Sequence, residues 1–443
     1  MVSFIHSNTS FTRAYAFIIA GLLSLVLTIT PSQGIAKGGW GATPLSEKHR
    51  PKRTWIKKFS LTPDVVADGD IDDAISACDN VVGTGKYCVV EITNTSIGLP
   101  LEISRSKTKL IASADMSPPL TTTENEIYIY IGSNTKEVII ENLNLEGHAA
   151  ENDEIFAIFI EGKNIQRILI KNNIINNFDS NSNAHGVAIY GTGKNKKQAI
   201  RDIIIEGNNI SNMRTGSSET IVVNGNVMHW EIKNNTIDTV NNIAIDAIGG
   251  EGTSATRLRR GRILPGRMDA AHHGFIEGNL VKNVSIAGNP SYAGEEDMWV
   301  GAIYIDGAHH VKIANNTVEN APFAYMLGAE NCISTKHITM INNSAVGSAY
   351  GDLYVGGYAK KSYKRDKSIN CNPLSSHDDN EGHGDVKFIT VKDNSFNSST
   401  NKEKLVTIEY RTTHAIIAEP TVEAINAIGN GSAKKDSNAI RMQ

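Results

Sequence analysis

Two aspartates, Asp246 and Asp306, sit in short stretches of one type, NIAIDA (242–247) and AIYIDG (302–307). Side chains of an extended strand alternate between its faces. Reading Ile303 and Ile305 as inward turns Ala302, Tyr304 and Asp306 outward. The same register applied to similar stretches gives an outward column Glu161, Tyr190, Asn224, Asp246, Asp306, Leu327. A second column runs Phe159, Ala188, Val222, Ala244, Tyr304, Tyr325, Tyr354. If these strands lie side by side, Asp246 and Asp306 are neighbours ~4.8 Å apart. Like charges at that distance raise a carboxyl pKa or bind a cation. Paired carboxyls are also the groups that hydrolyse glycosidic bonds, with Glu330 as a third candidate. Tyr304, Tyr325 and Tyr354 would form an aromatic strip on which sugar rings stack.

Other groups surround these. His185 and Glu219 precede their strands by similar distances and should stack beside Tyr190 and Asn224. His185 and Tyr190 are proton-transfer groups. Residues 248–273 insert directly after the Asp246 strand and carry Arg257, Arg259, Arg260, Arg262 and Arg267, then His272 and His273. A basic loop beside an acidic column suits an anionic polymer whose carboxylates need partners. A second insertion spans 284–299. A third, 358–385, holds HDDNEGHGD, whose Asp378, Asp379 and Glu381 are oxygen ligands of the kind a divalent cation takes, without the spacing of an EF-hand.

The positioning elements come from a repeat. ILIKNNII (168–175), IIIEGNNI (203–210), WEIKNNTI (230–237), GFIEGNLV (274–281), VKIANNTV (311–318), ITMINNSA (338–345) and ITVKDNSF (389–396) share alternating apolar residues, a polar pair and an Asn. The shared Asn falls at Asn173, Asn208, Asn235, Asn279, Asn316, Asn343 and Asn394. VIIENLNL (138–145) has the strand without the Asn. Period two makes these strands. Spacings of 35, 27, 44, 37, 27 and 51 residues suit coils that hold register while their turns vary. The Asn column then becomes a ladder of stacked amides. A second strand precedes each, among them AIFIEG (157–162), GVAIYG (186–191), TIVVNG (220–225) and FAYMLG (323–328), and a short third strand fits in the turns. DIDDAISACDNV (70–81) reads as an amphipathic helix able to cap the open end.

These repeats resemble those of the pectate-lyase-like superfamily, over roughly residues 63–430. The resemblance implies an all-β fold, a single right-handed parallel β-helix. It implies no one reaction, since the superfamily holds polysaccharide lyases, glycoside hydrolases, epimerases and depolymerases. GSSETIVVNG (216–225) is faintly similar to a strand of alginate- and chondroitin-type lyases, where Asn and Glu hold calcium. That similarity implies Ca2+ held by Glu219, Asn224 and Asp246.

The leading reading is β-elimination on an acidic polysaccharide. Arg259, Arg260 or Arg262, or the cation, neutralises the uronate, with Arg267 also in the basic loop. His185, Tyr190 or a basic residue of the loop takes the C5 proton, and Tyr190 meets the leaving oxygen. The alternatives are hydrolysis by Asp246 and Asp306, an epimerase on nearly the same residues, and a non-catalytic glycan-binding surface protein.

Composition bounds the rest. Of 443 residues 40% are hydrophobic and 6% aromatic, with net charge -4, which gives no general pull toward nucleic acid or anionic membrane. The segment 1–36 has Arg13, an apolar run Ala16–Ile29, Pro31 and small residues at Gly34 and Ala36, as an export signal does. A secreted or periplasmic protein is therefore expected, a monomer, with no membrane contact once the signal is removed. Residues 37–62 form an N-terminal extension and 431–443 a polar tail. Four cysteines in an exported chain imply disulfides; local pairing, Cys78 with Cys88 and Cys332 with Cys371, is one of three connectivities.

Overall fold

The computed structural model describes residues 41–67, 69–93, 99–113, 119–122, 127–259, 262–292, 300–331, 333–357, 384–397, 406–408, 412–418, 425–427 and 440–442. It is a right-handed parallel β-helix. One 14-stranded sheet takes its strands in chain order from Val65–Ala67 to Ile440–Met442. It contains the repeat strands and is called here the ladder sheet. The second set of strands forms the face sheet, joined by short strands such as Ile174–Asn176, Thr317–Glu319 and Ser344–Val346. These are the third strand of each coil. Successive coils pair in parallel, as in Ile203 with Ile168 and Trp230.

The two residues that close the polar stretch of each repeat form a unit with two separate jobs. Its first member takes the left-handed backbone, at Asn172, Gly207, Asn234, Gly278, Asn315, Asn342 and Asp393, a conformation Gly, Asn and Asp tolerate best. Its second member is the buried ladder Asn. Asn208 donates from Nδ2 to Asn235 Oδ1 (2.9 Å) and to Ile170 O (3.1 Å), and its Oδ1 accepts from both Asn173 N and Asn173 Nδ2 (2.9 Å). The same scheme repeats through Asn279, Asn316 and Asn343 to Asn394. In the Asn-less repeat, Leu143 holds the position and its N–H donates to Asn173 Oδ1. The ladder amides thereby satisfy one another and the backbone groups beside them, which is what makes the turn tolerable inside.

One apolar cluster runs along the axis through both sheets. The helix Ile71–Val81, capped by Asp70 accepting from Asp73 N, lays Ile71, Ala74, Ile75 and Cys78 on its first coil. Cys78 and Cys88 form a disulfide there. Cys332 and Cys371, like residues 1–36 and residues 377–383 with Asp378, Asp379 and Glu381, lie outside the described residues.

Both terminal segments lie against the ladder sheet. The extension is a strap along the outside of the ladder sheet. Gly41 N donates to His414 O at one end of the helix, and Trp55 and Phe59 pack on Val89, Ile139, Leu169 and Ile204 at the other. Between them Arg50 pairs with Glu231 and Glu277 (2.7 Å each), and Arg53 with Glu206 (2.8 Å) and Glu231 (2.6 Å). The segment read as a polar tail returns to the sheet: Ile440–Met442 pairs in parallel with Ala415–Ile417. Three residues are too few to show a period in sequence. Among the described residues no helix is long and apolar enough to cross a membrane.

Candidate active site

Each face strand begins at a corner where two successive residues face inward. Ala157 and Ile158, Ala244 and Ile245, Ala302 and Ile303, and Ala324 and Tyr325 all belong to the axial core. The residues on either side point out: Phe156 and Phe159, or Phe323 and Met326, belong to separate outer clusters. In these four coils the first inward residue is alanine. From this marker the outward positions follow in each coil.

The columns differ from the sequence reading in two coils, those of Asp246 and of Tyr325. Asp246 pairs with Val222 and Tyr304, and Ile248 takes the place beside Asn224. Asp306 pairs with Gly328. The two acids are thus diagonal neighbours, one strand and two residues apart, about 8 Å between Cα atoms on ordinary strand spacings. Ile243 misleads, because it is an outward apolar residue opposite Glu219. The aromatic strip also breaks. Tyr325 faces inward, fully buried, and donates to Asn316 O or Ser344 O, so it is no platform for substrate. The outward row reads Tyr304, Met326, Tyr354. Leu327 and Ala244 are core residues as well.

The remaining face residues do converge. His185 Nδ1 donates to Glu219 O (2.7 Å), which leaves Nε2 toward the Tyr190 hydroxyl at 3.5 Å. Tyr190 pairs with Asn224. Tyr304 donates to Glu330 Oε1 (2.8 Å), and its ring reaches there over Gly328, where a Cβ would stand 2.2 Å from the hydroxyl. Asp306 Oδ1 accepts from Glu330 N (2.7 Å). Asp246 is 2% exposed, and its Oδ1 has no hydrogen-bond partner.

Five carboxyl groups therefore share the outer face: Glu219, Asp246, Glu251, Asp306 and Glu330. Burial first, then Glu219, Asp306, Glu330 and Glu251, pushes the Asp246 carboxyl well above the usual range. Asp306 is raised by burial and by Glu330, against the Glu330 N–H, which favours its charged form. Glu219 is raised by burial and Glu251. Glu330, which reaches solvent, is raised too, by burial, with the Tyr304 hydroxyl opposing. Tyr190 and Tyr304 are held well above their ordinary value by burial and the same acids.

Two loop residues were not legible as site residues. Glu251 follows the Gly249–Gly250 pair and accepts from Asn224 Nδ2 (2.6 Å). Asp269, fully buried and pushed up to about 6 by burial, accepts from Gly252 N (2.7 Å) and Ser254 N (2.8 Å), fixing the Glu251 loop. Both sit in one coil's insertion, where no repeat marks them.

Of the residues expected to hold calcium, Asn224 is engaged with its own loop. Asn224 Oδ1 already accepts from Thr253 Oγ1 (2.9 Å) and its Nδ2 is spent on Glu251. Among the described residues no three His, Cys, Asp or Glu side chains surround a common point. Of the basic loop, Arg257–Arg259 and Arg262–Leu264 form an antiparallel hairpin. Arg267 is exposed. Arg260 and the side chains of Arg259 and Arg262 lie outside the described residues.

No family model matches the chain. A curated relative, the uncharacterized protein YwoF of Bacillus subtilis strain 168, is 30% identical over 252 residues, 56% of this chain and 50% of the relative. The chain thus spans half the length of the curated relative it matches. Similar solved structures include a lacto-N-biosidase from Eubacterium ramulus, with 10% identity, TM-score 0.49, and coverage of 80% of this chain and 61% of that one. The A-module of an Azotobacter vinelandii mannuronan C-5 epimerase has 11% identity, TM-score 0.44, and coverage of 88% and 97%. An alginate lyase from Paenibacillus has 13% identity, TM-score 0.41, and coverage of 79% and 98%.

Proposed function

We propose that this chain is an exported, glycan-cleaving enzyme that hydrolyses a glycosidic bond on the outer face of the face sheet. One observation carries the reading: Asp246 points outward, is enclosed, sits among four other acids and has a carboxyl oxygen with no partner. A carboxyl whose proton is held more tightly by burial and by neighbouring acids is suited to act as a general acid. Asp306, with a backbone N–H on its carboxylate, is the better anion and the base. In the reaction, water oxygen bonds to the anomeric carbon as its proton passes to Asp306. The glycosidic C–O bond breaks, and the leaving oxygen takes the Asp246 proton. Export is supported by the 1–36 segment and by the disulfide.

β-Elimination is the second reading, favoured by the His185–Tyr190 pair. It ranks lower because a uronate adds negative charge to a site whose described neighbours are themselves acids. The test is a panel of neutral and acidic glycans assayed for new reducing ends and for the ultraviolet absorbance of an unsaturated uronate. Hydrolysis predicts reducing ends alone, abolished in both Asp246→Asn and Asp306→Asn. Absorbing products, or full activity in both variants, would reject it.

A further inference from the structure

Six histidines line the start of the ladder-sheet strands, and the strap lays a seventh on them. His229, His273, His310 and His337 hold left-handed backbone positions in successive coils, with φ of 56, 55, 55 and 56. His272 and His309 sit beside two of them. The rings stack from coil to coil: His273 on His310 at 4.8 Å between centroids, His272 on His309 at 4.9 Å, and His310 against His337 at 4.5 Å. The strap's own ring, His49, lies 5.2 Å from that of His229 and 4.4 Å from that of His273. The site on the face sheet uses none of these groups.

The contacts of this stack need bare imidazole nitrogens. Thr43 N donates to His337 Nδ1 at 3.3 Å, so that nitrogen carries no proton. His49 Nδ1 faces His229 Nε2 at 3.2 Å, His272 Nδ1 faces His273 Nδ1 at 2.7 Å, and His309 Nδ1 faces His310 Nδ1 at 2.9 Å. In each ring pair one nitrogen donates and the other accepts. Protonating both rings of a pair turns two N–H groups against each other, and protonating His337 turns an N–H against the Thr43 N–H. The other ties of residues 41–49 to the sheet are slight: Gly41 N on His414 O (3.0 Å), Ala42 N on Thr390 Oγ1 (2.9 Å) and the Lys312–Glu47 ion pair (3.7 Å).

We propose that residues 41–49 are an acid-released clasp, held to the ladder sheet by neutral imidazoles and lifted off when the stack takes up protons. The Arg50 and Arg53 ion pairs and the Trp55 and Phe59 contacts contain no histidine and keep the rest of the strap in place. The charges that face the rings favour release. Burial, then Lys48 and Lys196, holds His49 below its ordinary pKa. Burial, then His49, Lys196, Arg201 and Lys52, lowers His229 to about 4. Burial and the neighbouring histidines lower His273 to about 3. Burial, then Lys336 and Lys387, lowers His337. The carboxylates nearby already have cations: Glu47, Glu231 and Glu277 pair with Arg50, Glu206 with Arg53, and Asp385 with Lys387. A ring lowered in the clasped state and ordinary once released supports the clasp fully above pH 6.5 and loses that support as pH falls. Each imidazole kept neutral while clasped raises the ratio of released to clasped strap about tenfold per pH unit below 6.5.

The test is amide hydrogen exchange of the intact chain at pH 7.5, 6.5 and 5.0, read by mass spectrometry and expressed as protection relative to the intrinsic rate at each pH. Peptides over 41–49 should be protected at pH 7.5 and lose roughly thirtyfold or more of that protection between pH 6.5 and 5.0, the effect of one ring over 1.5 pH units. Peptides over 50–59 and the ladder strand Gln166–Lys171 should keep theirs. His49→Asn combined with His337→Asn removes two responding rings and leaves at 337 a residue that tolerates the left-handed backbone. In that variant the pH-dependent loss should shrink at least tenfold, whether the clasp then stays closed or stands open at all three pH values. No protection of 41–49 at pH 7.5, protection that ignores pH, a loss shared equally by 50–59 and the ladder strand, or an undiminished pH dependence in the double variant would overturn the proposal.

Discussion

Replacing Asp246 by Asn should make the protein more stable and inactive together. The carboxyl is 2% exposed with a partnerless oxygen, and its pKa is raised in the fold by burial and by Glu219, Asp306, Glu330 and Glu251. The sign follows from linkage. A carboxyl whose folded pKa is raised favours folding fully below its unfolded pKa, near 4. That contribution is lost as pH rises toward the folded value, because the unfolded chain ionises and the fold resists. Each pH unit over which the fold keeps the proton removes about 1.4 kcal/mol. Three units separate pH 4 from pH 7, so about 4 kcal/mol is the ceiling at neutrality. An amide of the same shape has no such term. Asp246→Asn should therefore unfold at higher urea than the parent at pH 7, and the gain should shrink toward zero near pH 4. Urea midpoints at four pH values, with the reducing-end assay alongside, measure both halves. A variant less stable than the parent at pH 7, or a difference independent of pH, would refute the electrostatic account of the site. Full activity would refute the role given to Asp246.

Three further outcomes follow from the scaffold. Asn235→Ala removes the acceptor of Asn208 N and Nδ2 and should cost about 2–6 kcal/mol, from two orphaned buried donors at roughly 1–3 kcal/mol each. Asn394→Ala, at the ladder's end, orphans the two donors of Asn343 but breaks no onward Asn link, so its thermal midpoint should fall less; equal losses would contradict the ladder. His272, nearly buried and with its pKa lowered to about 3 by burial and neighbouring histidines, contributes stability that is whole above pH 6.5 and declines as pH falls toward 3. The dependence of urea stability on pH between 6.5 and 5 should lessen by about 1.4 kcal/mol per pH unit in His272→Asn, and an unchanged slope would show that the ring already titrates in the fold. Removing the Cys78–Cys88 bridge, with its sequence separation of 10, should cost about 2–3 kcal/mol by the loop-closure relation. The loss should centre on the helix Ile71–Val81, visible as faster amide exchange there; unaltered exchange would place the cap's stability elsewhere.

The ladder was legible in sequence because every coil must solve the same problem. A buried turn with exposed amides on its neighbours needs Asn in each repeat, after a residue that accepts the left-handed backbone, so the pair recurs whatever the spacing. The face strands were legible as strands but not always in register. A slip of one residue moves each side chain to the other face. The corner admits two inward residues in succession, which a strict alternation from Ile243 does not foresee. The small residue that opens each strand, Ala244, Ala302 or Ala324, is the usable sign; counting from it places Asp246 opposite Tyr304 and turns Tyr325 inward. Glu251 and Asp269 carry no such sign, since each belongs to a single insertion.

That division also explains how the fold tolerates its site. The acids of the outer face oppose one another and resist ionisation, which works against folding at neutral pH. In a solenoid each coil touches only its neighbours, so the penalty stays with the three coils and two loops that supply Glu219, Asp246, Asp306, Glu251 and Glu330. The amide ladder passes through those same coils, at Asn208, Asn235 and Asn279, on the ladder-sheet side. Its hydrogen bonds are indifferent to pH. The coils that carry the charge burden are thus held by contacts that the burden cannot weaken, and a substitution in the ladder there should loosen the site before it unfolds the ends.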